Sequence, residues 1–247
     1  MSFSDDEIER YARHLVLAEV GGPGQQRLKA ARVAIVGMGG VGGPAALYLA
    51  AAGVGTLRLI DDDTVGLSNL QRQIAFATTD VGRKKVEAGA DTLTALNPHV
   101  SIERLAERLT DTSAARLIEG CDAVIDGTDD FTARFAVNQA CVAANVPLVS
   151  GALGRWSGQV GVFAGRPCYR CLTPEAPPDA ETCARVGVMG ALAGVVGSMA
   201  ALEAVKLITG AGEPMTGRLL IYDSLVGTAR VAHVAADPDC PACGAPP

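Results

Sequence analysis

Residues 33–73 read VAIVGMGGVGGPAALYLAAAGVGTLRLIDDDTVGLSNLQRQ. An apolar, β-branched run at 33–36 enters Gly37-x-Gly39-x-x-Gly42, an Ala/Leu-rich helical stretch follows, and a second apolar strand ends in Asp61. This order of strand, glycine loop, helix, strand and acid is that of a nucleotide site. The glycines let the backbone approach phosphates, and the N-terminus of the following helix favours anions. Asp61, 24 residues past Gly37, stands where a carboxylate takes ribose hydroxyls, although a solvated acidic turn over 61–63 has the same composition. Nicotinamide, flavin and ATP sites all use such a loop, so the loop does not choose among them. Asn69, Gln71 and Arg72 lie just past the acid and are spaced to reach back to a phosphate chain, which a plain dinucleotide site does not require.

Outward from this stretch the pattern is α/β and Rossmann-like. Ser4-x-x-Glu7 is a capping box that opens a helix through about Ala18, with Ile8, Tyr11, Ala12 and Leu15 on its apolar face. Gly21-Gly22-Pro23-Gly24 ends it, and a short helix leads to the strand at Arg32–Val36. Helices are expected over 41–52, 80–96 and 131–144, and strands over 56–60, 100–105, 122–126 and 147–150. The 122–126 strand, within CDAVID (121–126), is of the short apolar kind found in parallel sheets. After Gly151 the expected strands at 159–164, 218–222 and 228–234 suit antiparallel pairing, with a Pro- and acid-rich loop at 173–182. The parallel sheet of the N-terminal half thus continues into antiparallel strands. We expect one continuous domain over 1–247, with a nucleotide-binding half to about 150 and a cysteine-tied half beyond it.

With 247 residues, 49% of them hydrophobic and 19% charged, the chain can build a large core. A net charge of −6 gives no reason to expect a nucleic-acid partner. The acidic start MSFSDDEIER lacks the features of a secretion signal. The apolar stretch 186–202 is interrupted by glycines and followed at once by Glu203, so a buried helix is expected and not a membrane span. The expectation is a cytoplasmic protein.

Cys168-x-x-Cys171 and Cys240-x-x-Cys243 form two knuckles flanked by turn residues. Four thiolates in two pairs suit a closed, structural zinc site, with a redox pair or an iron–sulfur cluster as alternatives. Asp126-Gly127-Thr128-Asp129-Asp130 ends a buried strand, where ligands bind in open α/β sheets; adjacent carboxylates there can hold Mg²⁺, and either aspartate can instead cap a helix. Arg13, Arg72, Lys84 and Lys85 are the cations available to a polyphosphate. Lys84 and Lys85 begin a helix, the end where cations oppose the macrodipole. Cys121 and Cys141 read as small buried hydrophobes, while Cys183, two residues before Arg185, is a candidate nucleophile.

Together the segments RYARH (10–14), GMGGVG (37–42), LIDDDTVGLSNLQRQ (59–73), VGRKKVE (81–87), DGTDD (126–130), CYRC (168–171), TCARVGVMG (182–190) and CPACG (240–244) resemble the MoeB/ThiF family of bacterial ubiquitin-activating-enzyme relatives over nearly the full chain. The resemblance implies ATP-dependent adenylylation, by an adenylyltransferase, of the C-terminal glycine of a small ubiquitin-like sulfur carrier ending in Gly-Gly. It places Gly40, Asp61, Ser68, Asn69, Arg72, Lys85 and Asp129 in the ATP site, beside the loop glycines Gly37, Gly39 and Gly42 and with Mg²⁺ near Asp129. It implies that Arg13 serves the other subunit of a homodimer. It puts structural Zn²⁺ on Cys168, Cys171, Cys240 and Cys243, and Cys183 on a thiol that some members bond to the activated carrier. A sulfurtransferase or cysteine desulfurase is the implied sulfur source. The family usually has Asn where this chain has Asp130, which raises the question of metal preference there. The segments 149–163 and 182–190 lean toward molybdopterin-synthase activation, with the thiamine-thiazole carrier as the alternative. A nicotinamide-dependent oxidoreductase would use the glycine loop and Asp61 equally well but leaves SNLQRQ unexplained. A scaffold that binds the carrier without turnover is the third alternative.

Overall fold

The computed structural model describes residues 2–177 and 187–244. Among these, eight strands form one sheet in the order β3-β2-β1-β4-β5-β6-β7-β8. β1 (Arg32–Val36), β2 (Thr56–Ile60), β3 (Ser101–Leu105), β4 (Ala123–Asp126) and β5 (Leu148–Leu153) are parallel; β6 (Ser157–Phe163), β7 (Arg218–Asp223) and β8 (Thr228–His233) continue the sheet antiparallel. The change of direction follows from the connections. The parallel strands alternate with helices that cross back over a face, whereas β5 and β6 are joined by a turn at Gly154 and Arg155 and must run opposite ways.

Alternate residues of β1 serve opposite cores. Val33 and Ile35 pack with α4 (Gly42–Ala52), α5 (Lys85–Leu96) and α9 (Gly190–Thr209); Ala34 and Val36 pack with α6 (Ala114–Leu117) and α7 (Phe131–Ala144). A strand covered on both faces needs apolar residues throughout, which is why β4 is buried at each position. α9 is long and apolar enough to cross a membrane, yet Leu192, Val196, Ala200 and Ala204 on it are core residues beside α4.

Three local departures from the sequence expectation have physical causes. The first helix is divided into α1 (Asp5–Arg10), with the capping box at Ser4 and Glu7 in place, and α2 (Ala12–Leu15). Tyr11 interrupts them because it turns into the core, where its hydroxyl accepts from Asn97 Nδ2 at 2.9 Å. Ile8 and Ala12 are accordingly exposed, while Glu7 is buried against Lys29. Second, the Gly21–Gly24 segment does not break a helix but begins α3 (Gly21–Ala30); Pro23 falls in the first turn, where a helix needs no N–H. Third, α5 starts at Lys85 and not at 80. Residues 82–85 pair instead with 63–65: Gly82 N–H donates to Val65, Val65 N–H to Arg83 and Lys85 N–H to Asp63. Gly82 sits at φ +91°, which a helix cannot use.

Candidate nucleotide site and four-cysteine cluster

The strand order reverses between β1 and β4, and the crevice outside their C-terminal ends opens into a cleft of about 490 Å³. Gly37 leaves β1 at φ +86°; a Cβ there would meet Gly127 O at 3.1 Å, and one at Gly42 would lie 1.9 Å from Gly37 O. The first and third glycines therefore close the β1–α4 turn against β4. Gly39 has only Gln73 Nε2 within 4 Å of such a Cβ and forms open lining, beside the N-terminus of α4 and its first-turn amides.

Asp61, at the end of β2, is fixed by the loop it faces. Its Oδ2 accepts the Met38 N–H at 2.7 Å and its Oδ1 the Asp63 N–H at 2.9 Å. Burial pushes its carboxyl pKa above the ordinary value, and the nearby Lys85 ammonium pulls the other way. The paired segment 82–85 delivers Lys85, whose Nζ lies 2.9 Å from Asp63 Oδ2 and 3.8 Å from Asp61 Oδ2, with 8% of the side chain exposed. Arg72 projects into the same cleft from the turn after a 3-10 segment (Leu67–Asn69), its guanidinium braced on Ser68 O at 3.1 Å. Asp129 lines the opposite side, and its carboxylate makes no hydrogen bond to the described residues.

Gly37, Gly39, Gly40, Asp61, Arg72, Lys85, Asp129 and Asp130 thus line one cleft. Gly42 is behind the loop. Ser68 and Asn69 are not lining residues: Asn69 Oδ1 accepts the Gly66 N–H and its carbonyl accepts from Arg72 and Gln73, so this turn aims Arg72. Lys84 is not itself a lining residue; it donates to the carbonyl of Asp62, which lines the cleft. Arg13 is exposed on α2, also outside it. Cys183 lies outside the described residues. Asp130 caps α7, its Oδ1 accepting the Ala133 N–H at 2.8 Å, and its Oδ2 lies 3.9 Å from Arg108. Its extra charge relative to Asn is therefore shared between a helix N-terminus and an arginine.

Two lining residues carry no motif signal of their own. Gln73 is 5% exposed, and its Oε1 is buried without a partner among the described residues. Arg134 is 6% exposed and ion-paired to Asp126 at 3.3 Å. The signal for Gln73 is its place at the end of SNLQRQ; Arg134, an arginine on the core-facing side of a helix, is visible only once the helix is docked.

Cys168, Cys171, Cys240 and Cys243 gather between the end of β6 and the chain beyond β8, with all four sulfurs within 4.8 Å of one another. Cys168 and Cys240 are 3.6 Å apart and Cys171 and Cys243 3.4 Å. A disulfide needs about 2.05 Å, whereas tetrahedral zinc with Zn–S of about 2.3 Å has sulfur–sulfur edges of about 3.8 Å. Both of these close pairs join one knuckle to the other. Asn138 Nδ2 and the Asp237 N–H each donate to a sulfur, at 3.5 Å, as thiolate ligands require. The set fits a four-coordinate structural zinc.

The chain belongs to the ThiF family, whose model matches residues 11–242. It is 46% identical to the molybdopterin-synthase adenylyltransferase of Escherichia coli K12 over 98% of each chain. It is 43% identical to the SAMP-activating enzyme E1 of Haloferax volcanii, over 99% of this chain and 92% of the relative. The sulfur carrier protein adenylyltransferase of Thermus thermophilus is 43% identical over the whole of this chain and 94% of its own. Among solved structures, E. coli MccB with ATP superposes with a TM-score of 0.82 at 25% identity, covering 95% of this chain and 74% of that one. None of these relatives is named as a nicotinamide enzyme.

Proposed function

We propose that this protein adenylylates the C-terminal glycine of a ubiquitin-like sulfur carrier at the expense of ATP. The observation that carries the reading is the placement of Arg72 and Lys85 around a glycine-loop cleft in a chain of this family. The terminal carboxylate, with an ordinary pKa of about 3.5, is ionised at neutral pH and needs no general base. One of its oxygens forms a bond to the α-phosphorus while the bond from that phosphorus to the β-phosphate oxygen breaks. The products are the carrier acyl-adenylate and pyrophosphate. Arg72 and Lys85 neutralise charge on the departing pyrophosphate, and Asp61 holds the ribose. Asp129, whose carboxylate makes no hydrogen bond to the described residues, would hold Mg²⁺, which would supply charge neutralisation at the phosphates.

A shallow groove shares Ala152, Leu153 and Gln159 with the cleft and runs over Gly154 and Gly158. Its continuity with the cleft suits an extended Gly-Gly tail. The exposure of Arg13, with Val16 and Leu17 bare beside it, supports a homodimer in which the partner subunit's Arg13 completes the cleft. The bacterial relatives' names favour the small subunit of molybdopterin synthase as the carrier, with the thiamine-thiazole carrier next. The test is isotope exchange between pyrophosphate and ATP, run against purified carriers ending in Gly-Gly. Exchange that needs a carrier and its terminal glycine is expected. Its absence with every carrier, while ATP still binds, would reduce the protein to a carrier-binding scaffold.

A further inference from the structure

The four-cysteine cluster and the cleft are joined by a short chain of buried contacts. Asn138 on α7 donates from Nδ2 to Cys168 Sγ, and its Oδ1 accepts the Tyr169 N–H at 2.8 Å. One side chain therefore holds both a metal-ligand cysteine and the residue after it, at the start of α8 (Tyr169–Leu172). Tyr169 is 4% exposed and lines the cleft. Phe163 meets its ring edge-on with centroids 5.6 Å apart, and the Arg134 guanidinium lies 5.9 Å from its centroid. Arg134 in turn donates to Asp126 Oδ2 at 3.3 Å, Ser150 Oγ at 3.1 Å, Thr128 O at 2.5 Å and Gly151 O at 3.0 Å. Asp126 Oδ1 closes the loop by accepting from Thr128 N at 3.0 Å and Thr128 Oγ1 at 2.7 Å.

We propose that the four-cysteine site sets the order of the 126–129 loop through Asn138, Tyr169 and Arg134, which makes Tyr169 and Arg134 positioning residues of the cleft. A buried guanidinium keeps its place only while its donors are satisfied, and its acceptors here come from β4, the loop and β5. The tyrosine ring forms the remaining wall. With metal on Cys168, the start of α8 and hence the ring are fixed. Without it, this turn keeps its contacts to α7 through Asn138, Arg134 and Phe135, whose ring lies 6.3 Å from that of Tyr169 and 4.5 Å from the Arg170 guanidinium, but loses its tie to Cys240 and Cys243, and the wall behind Arg134 loosens. That the loop serves a nucleotide rests on the reading above; the coupling rests only on these contacts.

The test is hydrogen exchange measured by mass spectrometry on the full chain, with zinc content assayed in parallel. Stripping zinc with a chelator is expected to speed exchange roughly tenfold in peptides covering 168–172 and also in those covering 126–130. Peptides over 33–42 and 56–60 should keep their protection. Tyr169→Leu retains apolar bulk but no π face, and should exchange faster at 126–130 while holding a full complement of zinc. Tyr169→Phe keeps the ring and loses only the hydroxyl beside Arg134, and should exchange more slowly at 126–130 than the Leu variant. Faster exchange at 168–172 with no change at 126–130 overturns the proposal, as does uniform loosening that includes 33–42. Equal exchange in the Phe and Leu variants also overturns it, and if the Leu variant does not fold, the chelation experiment decides. None of these measurements involves ATP or a carrier, so they stand whether or not the adenylylation reading does.

Discussion

The middle of the sheet and its antiparallel edge are held together by different physics. In the middle, β4 is buried at every position and β1 at all but its first, and the polar groups of the cleft are fixed by backbone amides from the loops those strands carry. At the antiparallel end β8 is the sheet edge, and five of its six residues are exposed. Apolar burial cannot hold such a strand. The chain beyond it returns to the protein through Cys240 and Cys243, which are buried against Cys168 and Cys171. The comparison teaches that the cleft borrows stability from the core, whereas the outer strands depend on the cysteine cluster.

The largest expected effect breaks the chemistry and leaves both kinds of scaffold intact. Arg72→Ala should lower carrier-dependent ATP–pyrophosphate exchange by about 10²–10³, the cost of one preorganised transition-state donor, with zinc content and melting temperature unchanged. Exchange at the original rate would remove Arg72 from the mechanism. Cys240→Ser addresses the outer end. It should abolish zinc retention and cost several kcal/mol, on the order of 3–5, with urea unfolding showing an early transition confined to the β7–β8 region. A single transition at the original midpoint would mean that the outer strands need no such tie.

A pH experiment separates the regions by sign. In the frame, the Ala77 N–H and then Arg83 hold Asp80 below its ordinary 3.8, although burial alone would raise it. A lowered native pKa means that the unfolded chain binds the proton more readily. This stabilisation is present above 3.8 and is lost as pH falls through the lower native value. In the cleft, burial raises Asp61, so its contribution is greatest below 3.8 and declines as pH rises through the elevated native value. Chemical denaturation from pH 6 to 3 should therefore show Asp80→Asn flattening the acid loss, by about 1 kcal/mol, and Asp61→Asn steepening it. The same direction of change in both variants would contradict these environments. The smallest effect is expected of Asp130→Asn. Asparagine caps a helix as well as aspartate does, so stability should move by less than about 0.5 kcal/mol and pyrophosphate exchange by less than about twofold. A larger loss of exchange would give the carboxylate a direct part in the site.

Much of the fold was legible because its signals are local. β1, β2 and α7 fall where periodicity and end signals put them, since apolar runs and the Asp130 cap act within a few residues. The boundaries that differ depend on distant partners: Tyr11 leaves its helix to reach Asn97, and residues 82–85 pair with 63–65 before α5 can begin. The site divides in the same way. Loop glycines, Asp61 and the cysteine pairs belong to short motifs, whereas Gln73 and Arg134 become lining residues only through docking.

From its own order of residues the chain determined a nucleotide-type crevice, a cysteine tie and a two-sided core, because glycine conformation, thiolate chemistry and strand alternation are properties of neighbours along the backbone. Tertiary structure alone decided that Lys85 meets Asp61 and Asp63, that Arg108 lies beside Asp130, and that the cysteine cluster touches the cleft through Tyr169 and Arg134. Those relations join segments tens of residues apart, and their energies exist only when packing excludes water between them.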